Sequence, residues 1–352
     1  MNQVTNKRLM VMAGGTGGHI FPALAVAKTL QQRGWEVRWL GTEDRMEATL
    51  VPANGIEIDF IEVKGLLGTG IKRKLAAPWM VMKASFQAKK AIQAYQPHAV
   101  LGMGGYVSGP GGLAAYISGI PVVLHEQNAV AGVTNRLLSK IAKRVLQAFP
   151  SAFKDAEVVG NPLRQEICQL PTHTDYQDGE PLKVFIMGGS QGAQILNNVL
   201  PKALARVQRP ILIRHQAGKN NRQITEARYQ ELKVSAEVTE FIDDVAASYT
   251  WADIIICRSG ALTVCEIAVA GVPAIFIPFM HADRQQALNA DFLVNQGAAL
   301  MIEQPDLTAE KLANQLDVLT AENLNTMAHK ARELAVLDAA SRVANVIEQV
   351  AN

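Results

Sequence analysis

Apolar positions along the chain fall into short unbroken runs separated by stretches of helical spacing. Residues 7–13 form such a run and residues 14–18 are four glycines and a threonine. From 20 to 31 apolar positions recur every three or four residues before Gly34. That order predicts strand, glycine turn, helix. It returns at 182–187, followed by Gly188-Gly189-Ser190-Gln191-Gly192 and a helix over 193–207. The runs 36–40, 56–63, 99–103, 121–126 and 144–149 alternate with helical stretches, as do 211–215, 238–242, 253–257, 274–277 and 299–303. Strands without polar alternation are buried on both faces, which requires parallel sheets covered by helices. The fold expected is therefore α/β, with two Rossmann-like domains whose parallel sheets face a central cleft. Gly160-Asn161-Pro162 and the polar stretch 172–180 mark the change of domain. The division expected is 1–161, 162–338, and a last helix in 339–352 that packs back on the first domain.

Composition narrows the class without changing the fold. A chain of 352 residues suits two domains, and 49% hydrophobic against 19% charged residues excludes disorder. A formal charge of +2 offers nothing to nucleic acid. Cys168, Cys257 and Cys265 are odd in number and lack metal-ligand spacing, which fits a reducing compartment. The apolar run 9–13 is too short for a signal-peptide core, and 267–279 is broken by Gly271, Pro273 and Pro278. No membrane span is expected.

Glycines between a strand and a helix let backbone N–H groups approach an anion, where the helix dipole also favours negative charge. Three such turns occur: 14–18, 188–192, and Gly102-Met103-Gly104-Gly105-Tyr106. None carries the third glycine and acidic strand end of a dinucleotide site, and none ends in the Gly-Lys-Ser/Thr of a triphosphate loop. A dehydrogenase and a P-loop enzyme are both excluded. Open parallel sheets bind ligands at strand C-termini, so if the two halves face each other a sugar nucleotide and an acceptor would fit between them.

Six motifs in order then carry a resemblance over residues 8–345. They are Gly14-Gly15-Thr16-Gly17-Gly18-His19, Gly104-Gly105-Tyr106, His125-Glu126-Gln127-Asn128, Gly160-Asn161-Pro162-Leu163-Arg164, Gly188 to Gly192, and Ala261-Leu262-Thr263-Val264-Cys265-Glu266. Together they resemble the MurG family of bacterial peptidoglycan N-acetylglucosaminyltransferases. The resemblance implies the glycosyltransferase B fold and inverting transfer of N-acetylglucosamine from UDP-N-acetylglucosamine to the muramyl sugar of lipid I, giving the beta-1,4 linkage of lipid II. It also implies a role in cell-wall biogenesis, shape and division, with cell-wall and division proteins as further partners. The location implied is peripheral, at the cytoplasmic face of the inner membrane.

The same resemblance distributes the site. Donor contacts fall on Gly15, Thr16, Gly17, Asn128, Arg164, Ser190, Ile242, the segment Ala261, Leu262, Thr263, Val264, Cys265 and Glu266, and Gln286. Glu266 takes the ribose, as a carboxylate can accept from both hydroxyls of a diol, and Arg258 is a secondary candidate. Acceptor contacts fall on Gly104, Gly105, Tyr106, His125 and Asn135. Inversion needs a base on the acceptor hydroxyl, and the candidates are His19, whose place at a helix start favours the neutral imidazole, and Glu126. No Asp-x-Asp pair lies near a strand end, so no metal or other cofactor is expected.

Residues 71–83 mix basic and apolar side chains, which suits an anionic lipid surface. Ile71, Lys72, Leu75 and Trp79 are the expected membrane contacts, with Lys140, Lys143 and Arg144 assisting. Two other readings use a similar donor pocket: a UDP-N-acetylglucosamine 2-epimerase and a noncatalytic sugar-nucleotide-binding scaffold. The epimerase needs no lipid acceptor, and the basic-apolar patch and first-half glycine turns argue against it; the scaffold has no use for His19 or the acceptor motifs.

Overall fold

The computed structural model describes residues 6–63, 71–189 and 192–352, with the side chains of 71–77 outside that description. Two compact units divide the chain: Met1–Arg164 with Asp338–Asn352, and Gln165–Leu337.

The first unit runs β1 (Arg8–Met12), α1 (Gly17–Gln32), β2 (Glu36–Gly41), α2 (Glu47–Ala53), β3 (Glu57–Phe60), α3 (Ile71–Tyr95), β4 (Ala99–Gly102), α4 (Ser108–Ile117), β5 (Val122–Glu126), α5 (Val133–Leu138), β6 (Arg144–Gln147) and β7 (Glu157–Val158). Among the described residues the strands form one parallel sheet in the order β3-β2-β1-β4-β5-β6-β7. Leu9 and Val11 face one side, with Ile20, Ala23, Ala27 and Leu30 of α1; Met10 and Met12 face the other, with residues of α3 and α4. The order in which strands are added reverses between β1 and β4, so the turns after these strands flank the switch point where such sheets leave a crevice.

The second unit runs α6 (Gln165–Cys168), β8 (Leu182–Met187), α7 (Gln194–Leu204), β9 (Ile211–Gln216), α8 (Arg222–Glu231), β10 (Glu237–Thr239), α9 (Val245–Trp251), β11 (Ile254–Cys257), α10 (Ala261–Ala270), β12 (Ala274–Phe276), α11 (Gln285–Val294), β13 (Ala299–Met301), α12 (Ala309–Asp317) and α13 (Ala321–Glu333). Its described strands are parallel in the order β10-β9-β8-β11-β12-β13, with the switch point between β8 and β11. The final helix, α14 (Ala339–Val350), belongs to the first unit. It buries Val343, Ala344, Val346 and Ile347 in the cluster that holds α1, and Glu348 pairs with Arg33 at 2.9 Å.

The expected strand over 238–242 changes in detail. β10 stops at Thr239 rather than running to 242, because it is an edge strand paired only with β9, which itself ends at Gln216. α3 begins at Ile71 and continues through Pro78, so Trp79 lies inside a helix of 25 residues. Among the described residues no helix is long and apolar enough to cross a membrane.

Candidate active site

In the first unit the β1 turn is built around one buried carboxylate. Gly15 adopts φ +91°, and its N–H donates to Oε2 of Glu47 at 3.0 Å. Oε1 of Glu47 accepts from the N–H and hydroxyl of Thr42, at 3.2 and 2.7 Å. The β4 turn closes against this assembly. A Cβ on Gly105 would stand 2.3 Å from the Gly14 carbonyl oxygen, and one on Gly104 would stand 2.9 Å from the His19 ring. Both glycines have positive φ, so shape and close approach together exclude a side chain.

His19 lies in the first turn of α1, which has neither a side-chain cap nor an acidic residue. Its Nδ1 is 3.2 Å from Thr16 Oγ1. Burial lowers its pKa below the usual value, outweighing the Glu126 carboxylate, the backbone hydrogen bond to Gly14 and the Glu47 carboxylate, which all raise it. Neutral imidazole is the form that accepts a proton. Glu126, at the end of β5, is committed inward. Its Oε1 accepts from the N–H and amide of Asn128, and its Oε2 from the N–H of Gly132 and the amide of Asn135 at 2.8 Å. His125 is fully buried, with Nε2 at 2.9 Å from the Gly160 carbonyl and Nδ1 at 3.2 Å from the Gln127 amide nitrogen. A carbonyl can only accept, so Nε2 carries the proton and Nδ1 accepts from Gln127. Both nitrogens are thereby used within the protein.

In the second unit the β8 turn has a parallel device with a neutral clamp. Gln216, at the end of β9, accepts from the Gly189 N–H at 3.0 Å and donates back to the Gly189 carbonyl at 3.2 Å. Across the switch point, α10 starts at Gly260 with no side-chain cap and no acid in its first turn. Val264 N–H bonds the Gly260 carbonyl, so among the described residues the amides of the first turn without a partner belong to Ala261, Leu262 and Thr263. Glu266, one turn after Leu262, receives the Tyr249 hydroxyl on Oε2 at 2.9 Å. Arg258 donates to the carbonyls of Ile277 and Pro278, both at 3.0 Å, and lies 5.5 Å from the Phe279 ring centroid. Gln286 accepts from the Phe279 N–H at 2.9 Å, which leaves its amide hydrogens as donors.

Similarity searches agree with this architecture. The model of the glycosyltransferase family 28 N-terminal domain matches residues 9–147, and that of the family 28 C-terminal domain matches 183–350. A protein of Vibrio parahaemolyticus, named UDP-N-acetylglucosamine–N-acetylmuramyl-(pentapeptide) pyrophosphoryl-undecaprenol N-acetylglucosamine transferase, is 64% identical over 97% of each chain. One of the same name from Aliivibrio salmonicida is 63% identical over 98% of this chain and 99% of its own. The crystal structure of Acinetobacter baumannii MurG superposes with a TM-score of 0.86 at 44% identity, covering 97% of this chain and 99% of that one. The chain belongs to the MurG family. Two α/β units with parallel sheets, expected from the strand pattern, are the family's architecture.

Within this MurG family member, the expected site residues fall into three groups. Thr16 and Tyr106 are exposed, and Gly17, His19, Asn128, Arg164, Ile242, Leu262, Thr263, Cys265 and Gln286 are half-buried. Arg164 places its guanidinium 5.6 Å from the Phe21 ring centroid of α1. Val264, by contrast, is fully buried, and its side chain belongs to the core. His125, Glu126 and Asn135 are enclosed and organise the turn after β5, and Oδ1 of Asn135 is buried there without a hydrogen-bond partner among the described residues. The glycine-turn amides divide: the Gly15 and Gly189 N–H groups are taken by Glu47 and Gln216, whereas Gly17 and Gly18 of the same first turn open α1, which like α10 starts without a side-chain cap among the described residues. Ser190 and the side chains of Ile71, Lys72 and Leu75 lie outside the described residues.

Glu47, Gln216 and Tyr249 were not evident from the sequence. Each resembles an ordinary helix acid, strand-end amide or core aromatic, and each acts on a partner 32, 27 or 17 residues away.

Proposed function

We infer that this protein transfers N-acetylglucosamine from UDP-N-acetylglucosamine to the muramyl sugar of lipid I, with inversion, to form lipid II. The observation that carries the reading is Glu266, a carboxylate held by Tyr249 next to the uncapped start of α10 at the switch point of the second unit. The carboxylate is suited to the ribose diol, and the open amides of Ala261, Leu262 and Thr263 to the pyrophosphate. Gln286 offers amide hydrogens to the donor sugar, and Ile242 its backbone to uracil.

The first unit takes the acceptor. The muramyl hydroxyl oxygen forms the new bond to the anomeric carbon while the bond from that carbon to the UDP oxygen breaks. His19 receives the hydroxyl proton, and the leaving UDP keeps the electron pair. His19 is favoured over Glu126 because both Glu126 oxygens already accept two hydrogen bonds each. Arg164 and Ser190 offset charge on the departing diphosphate.

Attachment is peripheral, at the cytoplasmic face of the inner membrane. α3 exposes Trp79, Met82 and Phe86, spaced three and four residues apart; Trp79 is 67% accessible. Leu113, Tyr116 and Ile117 of α4 and Val133 and Leu137 of α5 extend the exposed apolar side chains, with Lys89, Lys90, Lys140 and Lys143 among them. Such a mixture suits anionic lipid.

The test is transfer of labelled N-acetylglucosamine to a lipid I analogue by the native chain, Glu266→Ala and His19→Ala. Product from the native chain alone supports the reading. Tight UDP-sugar binding without transfer by the native chain would favour the scaffold or the epimerase.

A further inference from the structure

The β1 turn meets a carboxylate at Gly15 and the candidate base at Thr16. The Gly15 N–H donates to Glu47 Oε2 at 3.0 Å, and the next residue, Thr16, accepts the His19 N–H on its carbonyl at 3.1 Å and sets its Oγ1 3.2 Å from His19 Nδ1. Two adjacent residues of one turn therefore join a carboxylate to the candidate base. We propose that Glu47 is a positioning residue for the transfer reaction, acting on His19 through the Gly15–Thr16 turn.

The surroundings are built for that carboxylate. Glu47 is fully buried at the start of α2, where the helix dipole favours negative charge. Two glycines make room for it: a Cβ on Gly14 would stand 2.5 Å from its Oε1, and one on Gly41 would stand 2.9 Å from its Cγ. Thr42 supplies two further donors, so the group makes three hydrogen bonds and is locked in direction. The fixed turn thus holds Thr16 and orients the imidazole, and the nearby Glu47 carboxylate favours the positive charge that forms when His19 takes the acceptor's proton. The other charged group acting on the ring is Glu126 at the end of β5. In the second unit the corresponding clamp is Gln216, which is neutral, and no histidine follows that turn within the described start of α7. A charged clamp occurs in the unit that carries the candidate base.

This role rests on His19 being the base, and the experiment separates the two. Transfer kinetics with UDP-N-acetylglucosamine and a lipid I analogue would be measured against pH for the full-length native chain, Glu47→Gln, Thr42→Val and His19→Gln, with thermal unfolding of each. Glu47→Gln removes the charge at nearly the same volume. Its kcat is expected to fall about tenfold or more while KM for the UDP-sugar holds, and the acid limb of the profile should move to lower pH, since removing a negative charge lowers the imidazole pKa. Thr42→Val keeps the Gly15 bond and the charge, so its acid limb should stay at the native position. A native kcat and limb in Glu47→Gln would overturn the role. So would an equal limb shift in Thr42→Val, as would a lower kcat explained by lost folded protein alone. His19→Gln should lose both the rate and the limb; if it keeps both, the base assignment fails and this role with it. If only the Glu47→Gln limb is unmoved, the base assignment stands and this role alone falls. Should Glu47→Gln not fold, Glu47→Asp serves: its shortened side chain should lower kcat without moving KM for the donor, and native kinetics there would overturn the role.

Discussion

Tyr249 gives its hydroxyl hydrogen to Glu266 Oε2 at 2.9 Å, from a position with no solvent exposure. The bond fixes one oxygen of the ribose-binding candidate. Tyr249→Phe should leave the fold in place and raise KM for UDP-N-acetylglucosamine roughly tenfold, in line with about 1.5 kcal/mol for a hydrogen bond to a charged group. Glu266→Ala should abolish measurable donor binding. Calorimetric titration with UDP checks both, and native affinity in either variant would remove Glu266 from the donor site.

His19 supplies a second prediction. His19→Ala should lower kcat by about two to four orders of magnitude, the usual worth of a positioned base. In the native chain burial lowers the imidazole pKa, so the acid limb of kcat/KM should lie below the ordinary histidine value of 6.5. A limb above that value would point to another group.

Stability should fall with acid through two other histidines. Burial lowers His125 to about 4 and His215 to about 3, from an ordinary 6.5. Between those values the unfolded chain binds protons that the folded chain refuses, so stability is full above about 6.5 and declines as pH drops through the window. The His125 contribution alone is on the order of 3 kcal/mol. Urea unfolding from pH 7 to pH 4 tests this, and a flat midpoint would contradict it.

Gly105 separates contact from backbone strain. Gly105→Ala meets both, with φ +81° and a Cβ 2.3 Å from the Gly14 oxygen, and should cost about 2 kcal/mol or more. Gly119→Ala has φ +72° but nothing within 4 Å, and should cost about 1 kcal/mol. Equal unfolding temperatures for the two would argue against the close approach of the β1 and β4 turns.

For the membrane surface, replacing Trp79, Met82 and Phe86 together with Ser should weaken binding to phosphatidylglycerol vesicles roughly tenfold or more, given the apolar area each side chain would bury. Unchanged vesicle sedimentation would exclude this face of α3.

Alternation of apolar runs with helical spacing is a local property, and it was enough to find the β1, β4, β8 and β11 units and the glycine turns between strands and helices. Spacing alone also put Glu266 within one helical turn of Thr263, and His19 in the first turn after a strand. Those features are legible because a strand buried on both faces and a helix start each restrict the residues that can form them. How the polar groups are spent was not legible. Only the folded chain brings Glu47 to Gly15, Gln216 to Gly189 and Tyr249 to Glu266, and only there does it become evident that the Gly15 and Gly189 amides are occupied while α1 and α10 start without a side-chain cap among the described residues. Likewise, nothing in His125-Glu126-Gln127-Asn128 distinguishes side chains that meet a ligand from ones that tie down their own turn. Burial and partner geometry decide that, because a hydrogen bond already made inside the protein is withdrawn from chemistry, and which bonds are made depends on contacts between residues far apart in sequence.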